Sequence, residues 1–129
     1  MATKPTIGQI ERELTQRLQS LYHDQSGHRP SKVVCQFFDH RIAVTVENAV
    51  TPAEQTLIND GKEEIATQFR LGFDKTIEPQ LKALVEEIVG TSVLDIMSDT
   101  TLETGRTGII LVLEESPDVR NPEAIPKAK

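Results

Sequence analysis

The side chains able to bind a metal ion or attack a carbonyl are few and poorly spaced. The three histidines are His23, His28 and His40, and Cys35 is the single cysteine. A zinc site gathers its ligands to about 2.0–2.3 Å, and short spacings such as H-x-x-x-H or C-x-x-C enforce that convergence. Neither spacing is present, so no metal ligand is assigned and the histidines are read as exposed loop residues. Cys35 sits inside a strand-like run, away from any helix N-terminus, and reads as a small buried hydrophobe rather than a reactive thiol. Ser26 lies near His28 with no carboxylate fixed by spacing, and no G-x-S-x-G elbow exists. The glycines are too scattered for a Walker loop or a dinucleotide fingerprint. Glu63-Glu64 and Glu86-Glu87 are adjacent pairs, which on a helix point about 100° apart, so neither makes an acid–base dyad. The sequence predicts no catalytic residue and no cofactor.

One polar group stands out from this background. Asp99, Thr101, Glu103 and Arg106 fall at the end of a strand and in the loop after it, and Arg70 lies at the edge of the apolar stripe of a long helix. Polar loops held by a rigid scaffold are where ligands commonly bind. These five are the candidate ligand-binding residues, with Asp99 the expected partner of Arg70. The competing reading is an ordinary hairpin connection with local side-chain turns, and a surface arginine lying along apolar neighbours.

The elements that must position these residues follow from caps and periodicity. Thr6 and Gln9 have the spacing of a capping box, in which each side chain satisfies a backbone N–H at a helix start. Ile7, Ile10, Leu14, Leu18 and Leu21 then recur at helical spacing as far as His23. Asp24 to Ser31 is a loop. Lys32–Phe38 and Arg41–Asn48 are rich in β-branched and aromatic residues and predict a hairpin turning at Asp39-His40. Thr51-Pro52-Ala53-Glu54 combines a second capping box with a proline at the first helical position. Its short helix ends near Asp60, where Gly61 takes the left-handed conformation.

Lys62 to Val89 continues as a long helix with Ile65, Phe69, Phe73, Ile77, Leu81, Leu84, Val85 and Ile88 as its stripe, closed by Gly90. Unbroken, it spans about 42 Å, against a radius of gyration of about 14 Å for a domain of this size. Pro79 predicts a kink, or two helices meeting near Glu78. An unkinked helix projects and needs a partner chain. Strands over Thr91–Asp99 and Gly108–Glu114, joined by a loop at Thr100–Thr107, complete the body.

The fold class expected is α+β, in the order α-β-β-α-α-β-β, with a four-stranded mainly antiparallel sheet and helices on one face. Residues 1–5 form a polar arm, 6–115 a single domain, and 116–129 a flexible tail holding three of the seven prolines.

Bulk composition excludes several functions. The 129 residues carry a formal charge of −6, and no Lys/Arg run is present to release counterions from nucleic acid. Aromatic residues are 4%, with no Trp, too few for an RNA-stacking platform. No segment approaches the 18 or so apolar residues of a membrane span, and no apolar core follows the N-terminus as in a signal peptide. These features predict a cytoplasmic protein without direct membrane insertion, and the lone cysteine fits that compartment.

Several segments together resemble one family. They are Gly27-His28-Arg29-Pro30, V-T-P-A-E-Q at Val50–Gln55, Gly61, Arg70, L-V-E-E-I-V-G at Leu84–Gly90, and S-D-T-T-L-E-T-G-R at Ser98–Arg106. Their order and spacing resemble a small bacterial domain labelled the C component of a sodium-translocating, membrane-potential-generating system. The resemblance covers about Gly8 to Glu115. Pro30, Thr51, Glu54, Gly61, Arg70, Gly90, Asp99 and Gly105 match the pattern. His28 departs from it, where a smaller residue is usual, as does Asn48-Ala49, where a glycine is more frequent. The resemblance implies an accessory to ion or inorganic-carbon uptake with a membrane-system protein partner, and it supplies no reaction.

Two functional expectations result. The first is a non-catalytic binding or regulatory module, homodimeric through Lys62–Val89. The second is a small-ligand (anion) sensor or enzyme with Arg70, Asp99 and Arg106 converging on a pocket.

Overall fold

The computed structural model describes residues 3–127. Residues 1–2 of the expected arm and 128–129 of the expected tail lie outside them. Helix α1 (Ile7–Ser26) opens the chain, followed by strands β1 (Lys32–Phe38) and β2 (Arg41–Glu47). Helices α2 (Pro52–Asn59) and α3 (Glu63–Val89) come next, then strands β3 (Val93–Thr101) and β4 (Arg106–Leu113). The strands form one antiparallel sheet in the order β1-β2-β4-β3. This is the α+β arrangement expected from the sequence.

Local chemistry sets the helix boundaries. Both capping boxes form, Thr6 with Gln9 and Thr51 with Glu54. Gly61 and Gly90 take φ values of +74° and +81°, where a Cβ would be strained. Asp39 turns the first hairpin at φ +50°, in the left-handed region that short polar side chains tolerate.

Alternation along the strands puts Val33, Cys35, Phe37, Ile42, Val44, Val46, Ile109, Leu111 and Leu113 on the helix-facing side, all buried. Leu14, Leu18 and Tyr22 of α1 and Ile77, Leu81 and Val85 of α3 complete the core against them.

Helix α1 runs through Ser26, three residues past the end expected at His23 and into the expected loop, and three further elements differ from expectation. First, α3 is one continuous helix with Pro79 inside it, not two helices meeting near Glu78. Its 27 residues span about 40 Å. Second, β3 and β4 extend through Thr101 and from Arg106, so the connection is only Leu102 to Gly105. Polar residues hid this strand end, because Thr100 and Thr107 pair in register inside the sheet.

Third, the segment after β4 is docked rather than loose. Val119 and Ile125 are buried in the core. Ser116 Oγ donates to the Asp39 carbonyl, the Arg120 N–H to the Pro5 carbonyl at 3.0 Å, and the Asp39 N–H to the Pro126 carbonyl at 2.8 Å. Asn121 Oδ1 accepts from the Ile7 N–H at 2.9 Å. Buried Pro117, Val119 and Ile125 and these hydrogen bonds together pin a segment that composition alone marks as flexible.

Candidate functional site

The expected stripe of α3 holds in its second half and fails in its first. Ile65 and Phe69 are about half exposed, and the buried positions of that half are Ala66, Arg70 and Asp74. These lie four apart, on one face. A charged pair therefore occupies the core-facing line where periodicity predicts apolar groups.

Arg70 is 3% exposed and Glu54 1%. The arginine Nε donates to Glu54 Oε2 at 2.8 Å and Nη2 donates to Oε1 at 2.5 Å, a two-pronged pairing that fixes both planes. Nη2 also donates to the Ala49 carbonyl at 3.0 Å, and Nη1 reaches Asp74 Oδ1 at 3.5 Å. The guanidinium carbon stands 4.9 Å from the centre of the Phe73 ring. Asp74 Oδ2 accepts from the Thr100 hydroxyl at 2.8 Å, and Thr100 meets Thr107 at 2.7 Å. Glu54 accepts in addition from the N–H and hydroxyl of Thr51. One residue read only as a helix cap thus also anchors the central cation, joining α2, α3, the β2–α2 turn and the second hairpin.

The electrostatics divide the two acids. Burial alone would raise the Glu54 pKa, but hydrogen bonds from Arg70 and Thr51 and the charge of Arg70 outweigh it and hold Glu54 below the ordinary carboxylate range. Burial dominates at Asp74 and pushes its carboxyl up, against the pull of Thr100 and Arg70. For Arg70, burial opposes the charge, yet Glu54 and Asp74 together raise its pKa further.

A cleft of about 490 Å³ opens beside this cluster, between the end of α2, the first half of α3 and the second hairpin. Arg70, Asp99, Thr101 and Glu103 line it, together with Asp74 and Glu63. Arg106 does not; its Nε donates to Glu47 at 2.7 Å. Asp99 is opposite Gly108 in the register and adjacent to Thr100, so strand alternation turns it away from the face where Thr100 meets Asp74. The expected Arg70–Asp99 pair is replaced by Arg70–Glu54, and Arg70, Asp99 and Arg106 do not converge. Thr101 bonds to Thr104 within its own turn.

The sequence reading missed Asp74, Thr100 and Thr107 as members of this cluster. The available signal was the four-residue spacing from Arg70 to Asp74. Elsewhere, Cys35 is buried and burial pushes its thiol up to about 11, as an inert core cysteine requires. Among the described residues no group of three His, Cys, Asp or Glu is placed to hold a metal ion.

The loop before β1 and the turn after β2 touch each other. Asn48 has φ +55°, a conformation that glycine adopts without strain and asparagine tolerates best among the rest. The His28 ring Nε2 lies 2.9 Å from the Asn48 carbonyl and must donate there. His28 and the Asn48 turn thus form one contact beside Ala49, whose carbonyl accepts from Arg70.

No curated protein and no solved structure matches the chain. The family model for MpsC, described as a Na+-translocating membrane potential-generating system, matches residues 6–115. That span runs from the first capping box through β4 and includes every residue of the Arg70 cluster, and the chain belongs to the MpsC family.

Proposed function

We propose that this protein is a non-catalytic cytoplasmic module that docks onto a protein partner in a membrane-potential-generating system for ion or inorganic-carbon uptake. Family membership supplies the system; a fold by itself supplies no reaction. The observation that carries the non-catalytic reading is the state of Arg70, whose donors are directed to Glu54, Asp74 and the Ala49 carbonyl. Among the described residues no buried side-chain polar atom lacks a hydrogen-bond partner. A general acid or base must reach the proton it transfers, and here the interior charges are committed to each other. Among the described residues no helix is long and apolar enough to cross a membrane, and in this reading membrane contact runs through the partner.

The test is cross-linking in native cells, followed by isolation of the tagged protein and mass spectrometry of bound proteins and metabolites. An integral membrane protein of a transport system is the expected catch. Consumption of a metabolite by the purified protein, abolished by Asp74→Asn, would end the non-catalytic reading.

The cleft favours a second reading, a ligand sensor. Its lining carries the exposed carboxylates Glu63 and Glu103 against one arginine that Glu54 already neutralises. Such a field selects cations, not the anion that Arg70 and Arg106 suggest in the sequence. Calorimetric titration with small organic amines separates the two readings: saturable binding weakened by Glu103→Gln supports the sensor.

A further inference from the structure

A helix packed on a sheet normally turns its most charged face to solvent. The face of α3 opposite its buried line does the reverse. Ile65, Phe69, Gly72, Thr76, Pro79 and Ala83 follow one another at spacings of four and three, and all are exposed and uncharged. This is the seam spacing of paired helices. Lys62 and Glu86 continue it by one step at either end, so opposite charges terminate a charge-free line.

The seam also holds the two poorest helix formers, glycine and proline. Nothing inside the molecule accounts for Gly72: a Cβ built there meets no atom within 4 Å. A glycine on an outward helix face does, however, let another backbone approach closely.

We propose that the occupant of this seam is a second copy of the chain, with the two α3 helices antiparallel about a two-fold axis between Gly72 and Thr76. In that arrangement Gly72 faces Thr76, Phe69 faces Pro79 and Ile65 faces Ala83, each larger group against a smaller one. Lys62 faces Glu86. A parallel pair instead sets lysine on lysine, glutamate on glutamate and Phe69 on Phe69. Charge and size complementarity to its own reverse is what a self-associating two-fold surface requires. Among the described residues Lys62 pairs with Asp60 through an exposed contact of 3.3 Å, which water screens. Glu86 accepts one N–H, from Val93, which leaves its charge unneutralised. The contact is a strip one helix wide and about 36 Å long. It falls short of the roughly 800 Å² per partner of a standard interface, so the pair is reversible.

Sedimentation velocity over a concentration series to about 200 µM tests this on the full chain. The wild type is expected to shift from monomer to dimer. Ile65→Lys and Ala83→Glu are each expected to raise the dimer Kd at least tenfold, and the double variant to recover most of it. Only the antiparallel pairing brings the new lysine opposite the new glutamate. Both positions are exposed, and circular dichroism verifies that each variant is folded. A wild type that stays monomeric throughout, or a dimer indifferent to both single variants, overturns the proposal. A dimer weakened by each variant but weakened further by the pair overturns the antiparallel geometry.

Discussion

Arg70 lies between two carboxylates that it does not treat alike. Glu54 takes both prongs of the guanidinium, whereas Asp74 receives one longer contact and a hydroxyl. Removing the charge of Glu54 leaves a buried arginine short of its main partner, and breaking such a pair costs about 3–5 kcal/mol. Glu54→Gln is therefore expected to lower stability by roughly that amount in urea unfolding at neutral pH. Asp74→Asn is expected to cost less than Glu54→Gln, since burial raises the Asp74 carboxyl and Glu54 remains with the arginine. The pH dependence follows the same division. Glu54 is depressed in the fold, so its contribution is full above the ordinary carboxylate range and is lost as pH falls through its lower folded value. Asp74 is raised, so its protonation on acidification relieves a cost and partly offsets that loss. Glu54→Gln should thus flatten the acid limb of the stability curve. Cys35 gives a separate check: with its thiol pushed up to about 11, a disulfide reagent at pH 7.5 should label it many times more slowly in the native protein than in denaturant.

At the scale of elements, what could be read from the sequence was whatever is local. Thr6 with Gln9, and Thr51 with Glu54, announce their helices because both partners of each box lie within one turn. Hairpin pairing was legible from alternation in Ile42, Val44 and Val46. The first half of α3 was not, because hydrophobic periodicity has no way to register a buried ion pair whose partner lies on another helix. Residue type puts Phe69 on the apolar stripe and Arg70 at its edge as a ligand-binding candidate, whereas the structure leaves Phe69 about half exposed and buries Arg70 against Glu54. The candidate site fared similarly: Arg70, Asp99, Thr101 and Glu103 do border one cleft, while Arg106 pairs instead with Glu47 at the end of β2, the strand beside β4, a partner that is far away in sequence. Gly72 offers a test at this scale. With space around it, Gly72→Ala should stabilise the helix by up to about 1 kcal/mol, measured as a raised midpoint of thermal unfolding at low protein concentration. Unlike most stabilising substitutions, it places a methyl group on the seam.

Across the whole molecule, the sheet, α1 and α3 form one core, and the last described segment closes its open end. The family match stops at residue 115, yet Val119 and Ile125 are buried beyond it. Asn121 and Pro126 meanwhile hold the start of α1 and the first hairpin. Truncation after Glu115 is expected to cost about 3 kcal/mol or more, from two aliphatic side chains returned to water, and to lower the thermal midpoint accordingly. The unit of kinship and the unit of cooperative unfolding then have different borders. A piece trimmed to the shared boundary would keep all the residues by which it is classified and still melt early from one end.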